Sequence, residues 1–400
     1  MSARQAAGDF FEHGGKGLQS SALREANRRA VLTYIFLEPG SSMADISRLT
    51  GLAPQTASAI LVELEDEMLV KRGTPLRGRR GQPATPLFLD PEGVFCIGVE
   101  LGWQHLELVL MDLCANVLAR SRRSFPFPDA NTVATEIAEA ANRLKGHLSV
   151  EQQGRLVGLG IAIPSALERN LLTLGAPLEQ IALWNATNLV GSIKAQTQLP
   201  TECYSAGNAA AWAELVSYPA PRPRSFAYLY INSFVDGGIV SQSAIWEGPT
   251  GGGACFGSML VDAGDGKLVS AHEIISVTAL ARDLRSKGLL VPEGDPADWS
   301  WADWADELSP WIDKAARASA TVIFNAIAAV GCDHIIIDGV LPTEIMARLV
   351  EATEQALMAI PAGEFTHPSI SQGHLGRSAS AIGAAELPMF RRYFSRDALI

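Results

Sequence analysis

The feature that most constrains the fold is a basic loop at residues 71–85, with the sequence KRGTPLRGRRGQPAT. It holds five Lys or Arg residues and no Asp or Glu, and apolar runs flank it at residues 69–70 and 86–89. Apolar runs on both sides of a Gly- and Pro-containing loop are typical of a β-hairpin. Gly78 and Gly81 allow the backbone of the tip to lie close to a groove. The sequence therefore predicts a wing, that is, a hairpin with a basic tip.

Three helical patterns precede this loop, and their apolar residues recur at helical spacing. Ser41 or Ser42 is suited to cap the second helix, in which Ile46 and Leu49 are expected to face inward. Gly51 supplies a sharp turn before the third helix. The predicted helices span residues 23–36, 41–49 and 54–68.

The third helix has a predicted buried face and a predicted outer face. The buried stripe consists of Ala57, Ile60, Leu61, Leu64 and Met68. This leaves Gln55, Thr56 and Ser58 on the outside, near the N-terminus, as candidate readers of base edges.

The wing would supply contacts to the DNA backbone. Arg77, Arg79 and Arg80 can neutralise phosphates or enter a narrow minor groove. A charged loop is often only solvated, and three short helices often form an ordinary bundle. Their combination in this order favours double-stranded DNA as a partner.

The distribution of charge restricts DNA binding to the front of the chain. The net charge is −11 over 400 residues, but residues 1–90 carry 11 basic and 10 acidic side chains, against 21 and 33 in the remainder. The sequence shows no signal peptide and no apolar run long enough to span a membrane, so we expect a cytoplasmic protein without a membrane partner. Its five cysteines and seven histidines are scattered, which predicts no metal site.

The pattern changes near residue 93. Alternating and apolar runs predict a strand meander, a helix over residues 131–147 and a buried strand in LVGLGIAIPSA. A second α/β unit follows, with a strand at residues 225–231, helices at 270–287 and 315–330, and the strand HIIIDGV. The predicted divisions are a flexible segment at 1–20, a winged helix-turn-helix at 21–90 and a two-lobed α/β body at 91–400.

Both parts resemble the ROK family, which groups repressors and sugar kinases. GLAPQTASAILVELEDEMLV and GRRGQPATPLFLDP are similar to the winged helix-turn-helix of its repressors. VGLGIAIPSALE, LWNATNLVGSI, GNAAAWAEL, GGIVSQSAIWEGPTGGGACFGSMLV, IIIDGVL and AIGAAEL resemble its body, in the family's order. The resemblance implies an actin/hexokinase-like body of two ribonuclease-H-like lobes.

The sequence departs from the family's kinases at the residues that carry chemistry. The Asn-Asp pair whose carboxylate acts as general base is replaced by Ser205 and Ala206. In the phosphate loop Phe234 and Asp236 replace glycines, which disfavours an anion site. Glu100 stands where the first nucleotide motif has Asp. We therefore expect no kinase activity and no nucleotide cofactor.

The family's sugar and zinc residues are also altered. Its sugar-binding Glu and zinc-binding His correspond to Cys255 and Ser258, and its downstream cysteine cluster is missing. We expect no zinc, and either an altered ligand or none. The resemblance implies that the pocket walls are Pro164, Ser165, Asn185, Ser205, Asn208, Cys255, Ser258 and either His272 or Glu273. Asn185 and Asn208 have the alternative role of capping turns or helices.

These observations favour a homodimeric transcriptional regulator, a repressor of carbohydrate-related genes, that reads a palindromic operator and responds to a sugar-like small molecule. Two alternatives remain open: a sugar kinase with a DNA-binding extension, and a dimeric DNA-binding regulator that has no ligand. Whether a ligand induces or corepresses is also open. The acidic, Trp-rich segment at residues 292–311 is either a lid or dimer contact, or an exposed helix anchored by Trp304 and Trp311.

Overall fold

The computed structural model describes residues 20–75, 85–248, 251–264, 266–363 and 366–394. The chain divides into two compact units. The first contains the described residues up to Leu89 together with Tyr393 and Phe394, and the second runs from Asp90 to Arg392. The sequence-based division kept residues 91–400 in one body, and it differs from the structure in this C-terminal segment. The segment predicted to be flexible lies, up to residue 19, outside the described residues.

The first unit has three helices followed by a two-stranded antiparallel sheet, and Val70 pairs with Leu89 in its register. Its elements are α1 (Ser20–Leu37), α2 (Met43–Thr50), α3 (Pro54–Asp66), β1 (Val70–Arg72) and β2 (Leu87–Leu89). The helices and both strands bury one set of apolar side chains. They include Val31, Leu32, Ile35, Ile46, Ala57, Ile60, Leu61, Leu64, Leu69, Val70, Leu87 and Leu89. The ring of Phe394 packs edge-on against Phe36, at 5.5 Å between centroids.

Two details of the predicted helices are wrong. The third helix ends at Asp66, because Met68 has a positive φ of 60° and belongs to the turn that leads into β1. Leu49 is 41% exposed, whereas Ile46 is fully buried. A separation of three residues places side chains about 60° apart around a helix axis, and only the stripe through Ile46 faces the neighbouring helices.

The second unit contains two five-stranded sheets. The first sheet has the order β5-β4-β3-β6-β7, in which β3, β6 and β7 are parallel and β4 and β5 complete an antiparallel meander. Its strands are β3 (Phe95–Leu101), β4 (His105–Asp112), β5 (Val117–Ser124), β6 (Leu156–Ile163) and β7 (Thr201–Ser205). The first three are the predicted meander, and β6 is the predicted buried strand.

The second sheet repeats this arrangement, with the order β10-β9-β8-β13-β14. Its strands are β8 (Phe226–Ile231), β9 (Val235–Ser241), β10 (Ala244–Ile245), β13 (His334–Gly339) and β14 (Ser369–Gln372). A separate hairpin, β11 (Leu260–Asp262) and β12 (Leu268–Ser270), lies between β10 and β13 in the sequence. Two sheets of one topology in one unit agree with the predicted pair of α/β lobes.

Helices join the strands of each sheet. In the first lobe they are α4 (Val133–Lys145), α5 (Val150–Gln153), α6 (Leu167–Asn170), α7 (Glu179–Ala186), α8 (Leu189–Thr197) and α9 (Ala206–Ser217). In the second they are α10 (His272–Ile275), α11 (Val277–Ser286), α12 (Ala305–Val330) and α13 (Thr343–Met358). The last helix, α14 (Ala379–Tyr393), follows β14 and packs on Gly98 and Gly160 of the first sheet.

Two predicted helices have different bounds in the structure. The helix expected at residues 270–287 is divided into α10 and α11, because Ser276 is extended and caps α11 by accepting a hydrogen bond from the amide of Ala279. The helix expected at 315–330 begins at Ala305. No helix in the described ranges is both long and apolar enough to cross a membrane.

Candidate functional site

The first unit presents a helix-turn-helix with a defined start and turn. Ser42 caps α2 and forms a capping box with Asp45, whose carboxylate accepts a hydrogen bond from the Ser42 amide at 3.1 Å. Gly51 ends α2 in the left-handed conformation, with φ of 69°. Pro54 occupies the first turn of α3, where its missing N–H carries no cost. These residues fix the sharp connection between α2 and α3.

The predicted base readers lie on α3, directly after this turn. Gln55 and Thr56 are exposed, and Ser58 is half-buried. Ala57 is fully buried between them, which fixes the face that the helix presents. The side chains of Gln55 and Thr56 are therefore accessible to solvent, and that of Ser58 is only partly accessible.

Basic side chains of the first unit are paired with acids of α3. Arg24 and Arg28 of α1 contact Glu63, and Arg28 also contacts Glu67 at 2.5 Å. Arg72 contacts Glu65 at 2.5 Å. These arginines serve contacts within the unit. The predicted phosphate-binding residues Arg77, Arg79 and Arg80 lie outside the described residues.

The second unit contains the cleft region in which the kinase motifs are altered. Phe234, in the turn between β8 and β9, is buried and packs on Trp103 of the β3–β4 turn, with 4.5 Å between ring centroids. It also packs edge-on against His272. The amide of Val235 donates to Nδ1 of His272 at 3.0 Å. Aromatic rings and a satisfied amide occupy this turn, so it lacks the open row of N–H groups that binds phosphate.

Burial lowers the pKa of His272, which keeps the ring neutral and able to accept this hydrogen bond. The alternative pocket residue, Glu273, is exposed and pairs with Arg282 at 2.5 Å. Of the two alternatives left open by the sequence, His272 is the one that contacts β9.

Three of the predicted effector-binding residues lie around the start of α9. Ser205 caps this helix, and its hydroxyl accepts a hydrogen bond from the amide of Asn208 at 3.2 Å. The hydroxyl of Ser165 donates to the carbonyl of Gly252 at 3.4 Å. A Cβ atom on Gly253 would lie 2.5 Å from Oδ1 of Asn208, so the backbone of this glycine loop approaches Asn208 closely. The loop thereby connects the surroundings of Ser165 and Asn208.

The other predicted residues are Asn185, Cys255 and Ser258. The turn that contains the last two packs beside this group, since Cβ atoms on Gly237 and Gly257 would lie 2.3 Å from the Phe256 ring and 2.0 Å from the His272 ring. Asn185 is exposed near the end of α7, and Cys255 and Ser258 are exposed at the two ends of a short turn. No hydrogen bond within the described part of the chain joins these three to Ser165, Ser205 or Asn208. The sequence alignment with sugar-binding residues therefore identified a set that the structure brings together only in part.

A buried carboxyl group that the sequence analysis did not include belongs to this site. Asp236 of β9 is 7% exposed, and it accepts hydrogen bonds from the amides of Gly237 at 2.9 Å and Ser165 at 3.5 Å. Burial raises its pKa to about 6, although amide hydrogen bonds, including one from Gly207, act in the opposite direction. The sequence did offer a signal for Asp236, namely a single charged residue within the apolar run at residues 235–240, because a charge that is buried in such a strand requires specific partners.

Further buried charges lie on the first sheet and on the segment that packs against it. Nε2 of His105 lies 3.5 Å from Glu100, and its Nδ1 lies 3.6 Å from Asp295. Arg122 bridges Asp295 and Glu107. Asp295 belongs to the acidic, Trp-rich segment, whose residues Trp301, Trp304 and Trp311 are buried in the second lobe. This segment is anchored in the core, as one of the two sequence hypotheses stated.

The described residues contain no group of three His, Cys, Asp or Glu side chains that is arranged to hold a metal ion. Cys96, Cys114, Cys203, Cys255 and Cys332 are not joined by disulfide bonds.

Comparison with known proteins gives relatives of two kinds. The profile of the ROK family matches residues 96–389. The chain is 24% identical over 375 residues to the uncharacterized protein y4fQ of Sinorhizobium fredii, which covers 92% of both chains. It is 20% identical over 240 residues to the xylose repressor of Bacillus subtilis, covering 60% of this chain and 62% of that protein. It is 25% identical over 299 residues to an Escherichia coli N-acetylmannosamine kinase, covering 73% of this chain and 97% of the kinase.

Solved structures show the same fold. A ROK family transcriptional regulator, described as a homolog of the E. coli MLC protein, superposes with a TM-score of 0.68 at 20% identity, covering 94% of this chain and 96% of that one. A ROK family glucokinase from Streptomyces griseus, solved with glucose and AMPPNP, superposes with a TM-score of 0.55 at 17% identity. It covers 73% of this chain and 98% of the glucokinase. The predicted two-lobed α/β fold is thereby confirmed.

Proposed function

Because the chain belongs to the ROK family, we propose that it is a DNA-binding transcriptional regulator whose kinase-like body binds a small molecule without phosphorylating it. The observation that carries the proposal is the difference in coverage. The glucokinase is matched over 98% of its own length but covers only 73% of this chain, whereas the regulator covers 94%. The part of this chain that the glucokinase does not cover is close in length to the first unit, which contains the helix-turn-helix.

Recognition of base edges is assigned in this proposal to the start of α3. Gln55 and Thr56 are exposed there, and a helix that presents such side chains at its N-terminal end can enter a major groove. A glutamine side chain can make two hydrogen bonds to adenine, and a threonine supplies a hydroxyl and a methyl group. These residues specify sequence, and the half-buried Ser58 contributes less.

Contacts to phosphate are assigned mainly to the wing. Several arginines of α1 and β1 are paired with the glutamates of α3, which reduces what they can offer to DNA. Arg77, Arg79 and Arg80 have no Asp or Glu near them in sequence. Two such modules, in a homodimer, would read the two halves of a palindromic operator.

The body is proposed to be a sensor because phosphoryl transfer lacks two of its requirements. Ala206 at the start of α9 cannot accept a proton from an attacking hydroxyl. Phe234 fills the turn that would have to hold phosphate, and it packs against Trp103. A ligand that binds unequally to the DNA-competent and DNA-incompetent states would change operator affinity.

The DNA assignment is tested by the salt dependence of operator binding, after the operator has been identified by selection of bound genomic fragments. A plot of the logarithm of the operator-binding constant against the logarithm of the salt concentration has a negative slope. Arg79→Ala/Arg80→Ala should make this slope shallower by about 2, because each lost phosphate contact removes about one unit. The matched control, Arg143→Ala/Arg317→Ala, removes two exposed positive charges from the body and should leave the slope unchanged. An unchanged slope in the wing variant would show that the wing does not contact phosphate.

Gln55 tests the other half of the assignment. Gln55→Ala should relax the preference for one or two base pairs and leave the salt slope unchanged, since base contacts specify while phosphate contacts position. The measurement is competition between the operator and single-base variants. Equal weakening for all sequences would contradict a reading role for Gln55.

The kinase alternative has one structural observation in its favour, the buried carboxyl of Asp236. A coupled assay of ATP consumption with a panel of hexoses and amino sugars separates the two functions. Turnover on the order of 1–100 s⁻¹, the range typical of kinases, would overturn the sensor proposal. A regulator without ligand is separated by thermal shift, because a ligand specific for the folded state raises the melting temperature.

A further inference from the structure

The carboxyl group of Asp236 is held at the start of α9 by neutral groups. A Cβ atom on Gly207 would lie 2.1 Å from the carbonyl oxygen of Gly237, so α9 and β9 meet through two glycines. This close contact brings the amide of Gly207 to the carboxyl group, beside the amides of Gly237 and Ser165. Asp236 therefore places a carboxyl beside position 206, where the chain itself has only an alanine.

No cation balances this carboxyl group. Within the described ranges, no Lys, Arg or His forms an ion pair with Asp236. The titratable groups on the packed elements are Glu100 of β3, which raises the pKa of Asp236, and His272 of α10, which is neutral and bonded to the Val235 amide. Glu100 is itself close to His105. With a pKa of about 6, Asp236 is mostly ionised at neutral pH, as a buried negative charge.

A second buried acceptor lies at the same end of α9. Asn208 is 3% exposed, and its Oδ1 accepts no hydrogen bond from any described residue. It faces the backbone of Gly253, whose neighbour Gly252 accepts the hydroxyl of Ser165. An amide oxygen that is buried without a donor costs free energy unless a ligand or water supplies one. The site is rich in acceptors and poor in donors.

We propose that Asp236 anchors the effector and that the effector presents a protonated amine to it, as an amino sugar does. An ammonium group supplies three donors and a positive charge, which are what the carboxylate of Asp236 and Oδ1 of Asn208 lack. A neutral sugar supplies one donor per hydroxyl and no charge. A sugar phosphate brings a second negative charge to an unbalanced carboxylate. The geometry therefore favours an amino sugar over its neutral and phosphorylated counterparts.

This inference rests on the proposed function only in taking the cleft as the effector site. The probes are matched pairs: glucosamine with glucose, galactosamine with galactose, and mannosamine with mannose. Binding to the full-length protein is measured by calorimetry and thermal shift. At least one amino sugar should bind about ten- to hundredfold more tightly than its neutral partner, the range expected for a hydrogen bond to a charged group. Equal binding within every pair, or no binding by any amino sugar, would overturn the proposal.

Variants at two positions locate the effect. Asp236→Asn keeps the shape of the side chain and should remove the preference for the amine, while the control Asp303→Asn removes an exposed acid and should preserve it. Circular dichroism and the melting temperature establish that each variant is folded. Preference retained in Asp236→Asn would show that another group binds the amine.

The pH profile provides a test that needs no variant. Affinity for the amino sugar should fall by several-fold as pH is lowered from about 7 to about 5, since protonation of Asp236 removes its charge. The same profile in Asp236→Asn separates this loss from any effect of Glu100 or His272. A wild-type affinity that does not change over this range would contradict the role of Asp236.

Operator binding is measured on the same preparations. A protein that binds an amino sugar through Asp236 but no DNA would refute the proposed regulatory function and leave this inference standing. A protein that binds its operator but shows no preference for the amine would refute this inference and leave the proposed regulatory function standing.

Discussion

The two sheets of the second unit have the same strand order, but Glu100 and Glu107 of the first are stabilised differently from Asp236 and Asp338 of the second. In the first sheet, Glu107 contacts Arg122 and also Arg120 at 3.1 Å, and Glu100 lies near His105. In the second sheet the buried acids receive neutral donors. Asp338 accepts hydrogen bonds from the Tyr228 hydroxyl at 2.8 Å and from the amides of Gly339 and Gly376 at 2.8 and 2.9 Å.

Asp236 follows the second pattern, since its donors among the described residues are backbone amides. Burial raises the pKa of both Asp236 and Asp338. One topology thus supports two solutions to the cost of burying a charge, pairing with a cation or hydrogen bonding to dipoles. The first solution is a fixed network within the fold. The second leaves the charge of Asp236 available to a ligand.

The largest expected effect tests the cation in the first sheet. Arg122→Met should destabilise the protein by about 3–5 kcal/mol, because it leaves Glu107 and Asp295 buried without this partner. Chemical denaturation at neutral pH measures the change. Arg123→Met on the same strand is the control: its pair with Glu136 is more exposed, and its loss should cost less than about 1 kcal/mol. Equal costs for the two variants would mean that the buried network stabilises the fold no more than a surface pair.

The second prediction has the opposite sign. The pKa of Asp236 is raised in the folded state, so its ionisation disfavours folding above about pH 6, and this cost disappears as pH falls below the unfolded value near 3.8. Asp236→Asn should therefore stabilise the protein at pH 7 by up to about 3 kcal/mol. The gain should shrink toward about pH 4, as measured by denaturation across this range. A destabilised variant at pH 7 would mean that the carboxylate is better compensated than its neutral partners indicate.

The smallest expected effect concerns the first unit. Arg72→Ala removes a contact with Glu65 in which the arginine side chain is half exposed, so stability should change by less than about 1 kcal/mol. Thermal unfolding with and without added salt measures it. A loss as large as that of Arg122→Met would mean that surface pairs hold the helix-turn-helix together.

The order of the elements could be predicted from the sequence, but several of their boundaries could not. Periodicity and turn residues located the helix-turn-helix, the meander and the strand at β13. Periodicity did not reveal that Ser276 divides one predicted helix, because capping by its side chain depends on local backbone geometry. Leu49 was misplaced because an eight-residue helix shows too few turns to define its buried face.

The candidate site was predicted in part. Ser165, Ser205 and Asn208 were identified by resemblance, and the structure groups them around the start of α9. Asn185, Cys255 and Ser258 were identified in the same way, and no hydrogen bond among the described residues joins them to those three. Asp236 was interpreted only as a charge of the wrong sign for phosphate, because two of its three donors, the amides of Ser165 and Gly207, are distant from it in sequence.

By itself, the sequence determined the α/β pattern of the body and the exposed positions of Gln55 and Thr56, since these follow from residue identity and local periodicity, while the replacement of a general base by Ala206 is what its resemblance to the ROK family implies. Only the tertiary structure decided that Phe234 packs on Trp103 and that Asp236 is a buried carboxyl group that forms no ion pair with a described cation. The reason is physical. Burial, pKa and hydrogen bonding depend on which segments meet in space, and in this unit they meet through the close contact of Gly207 with Gly237.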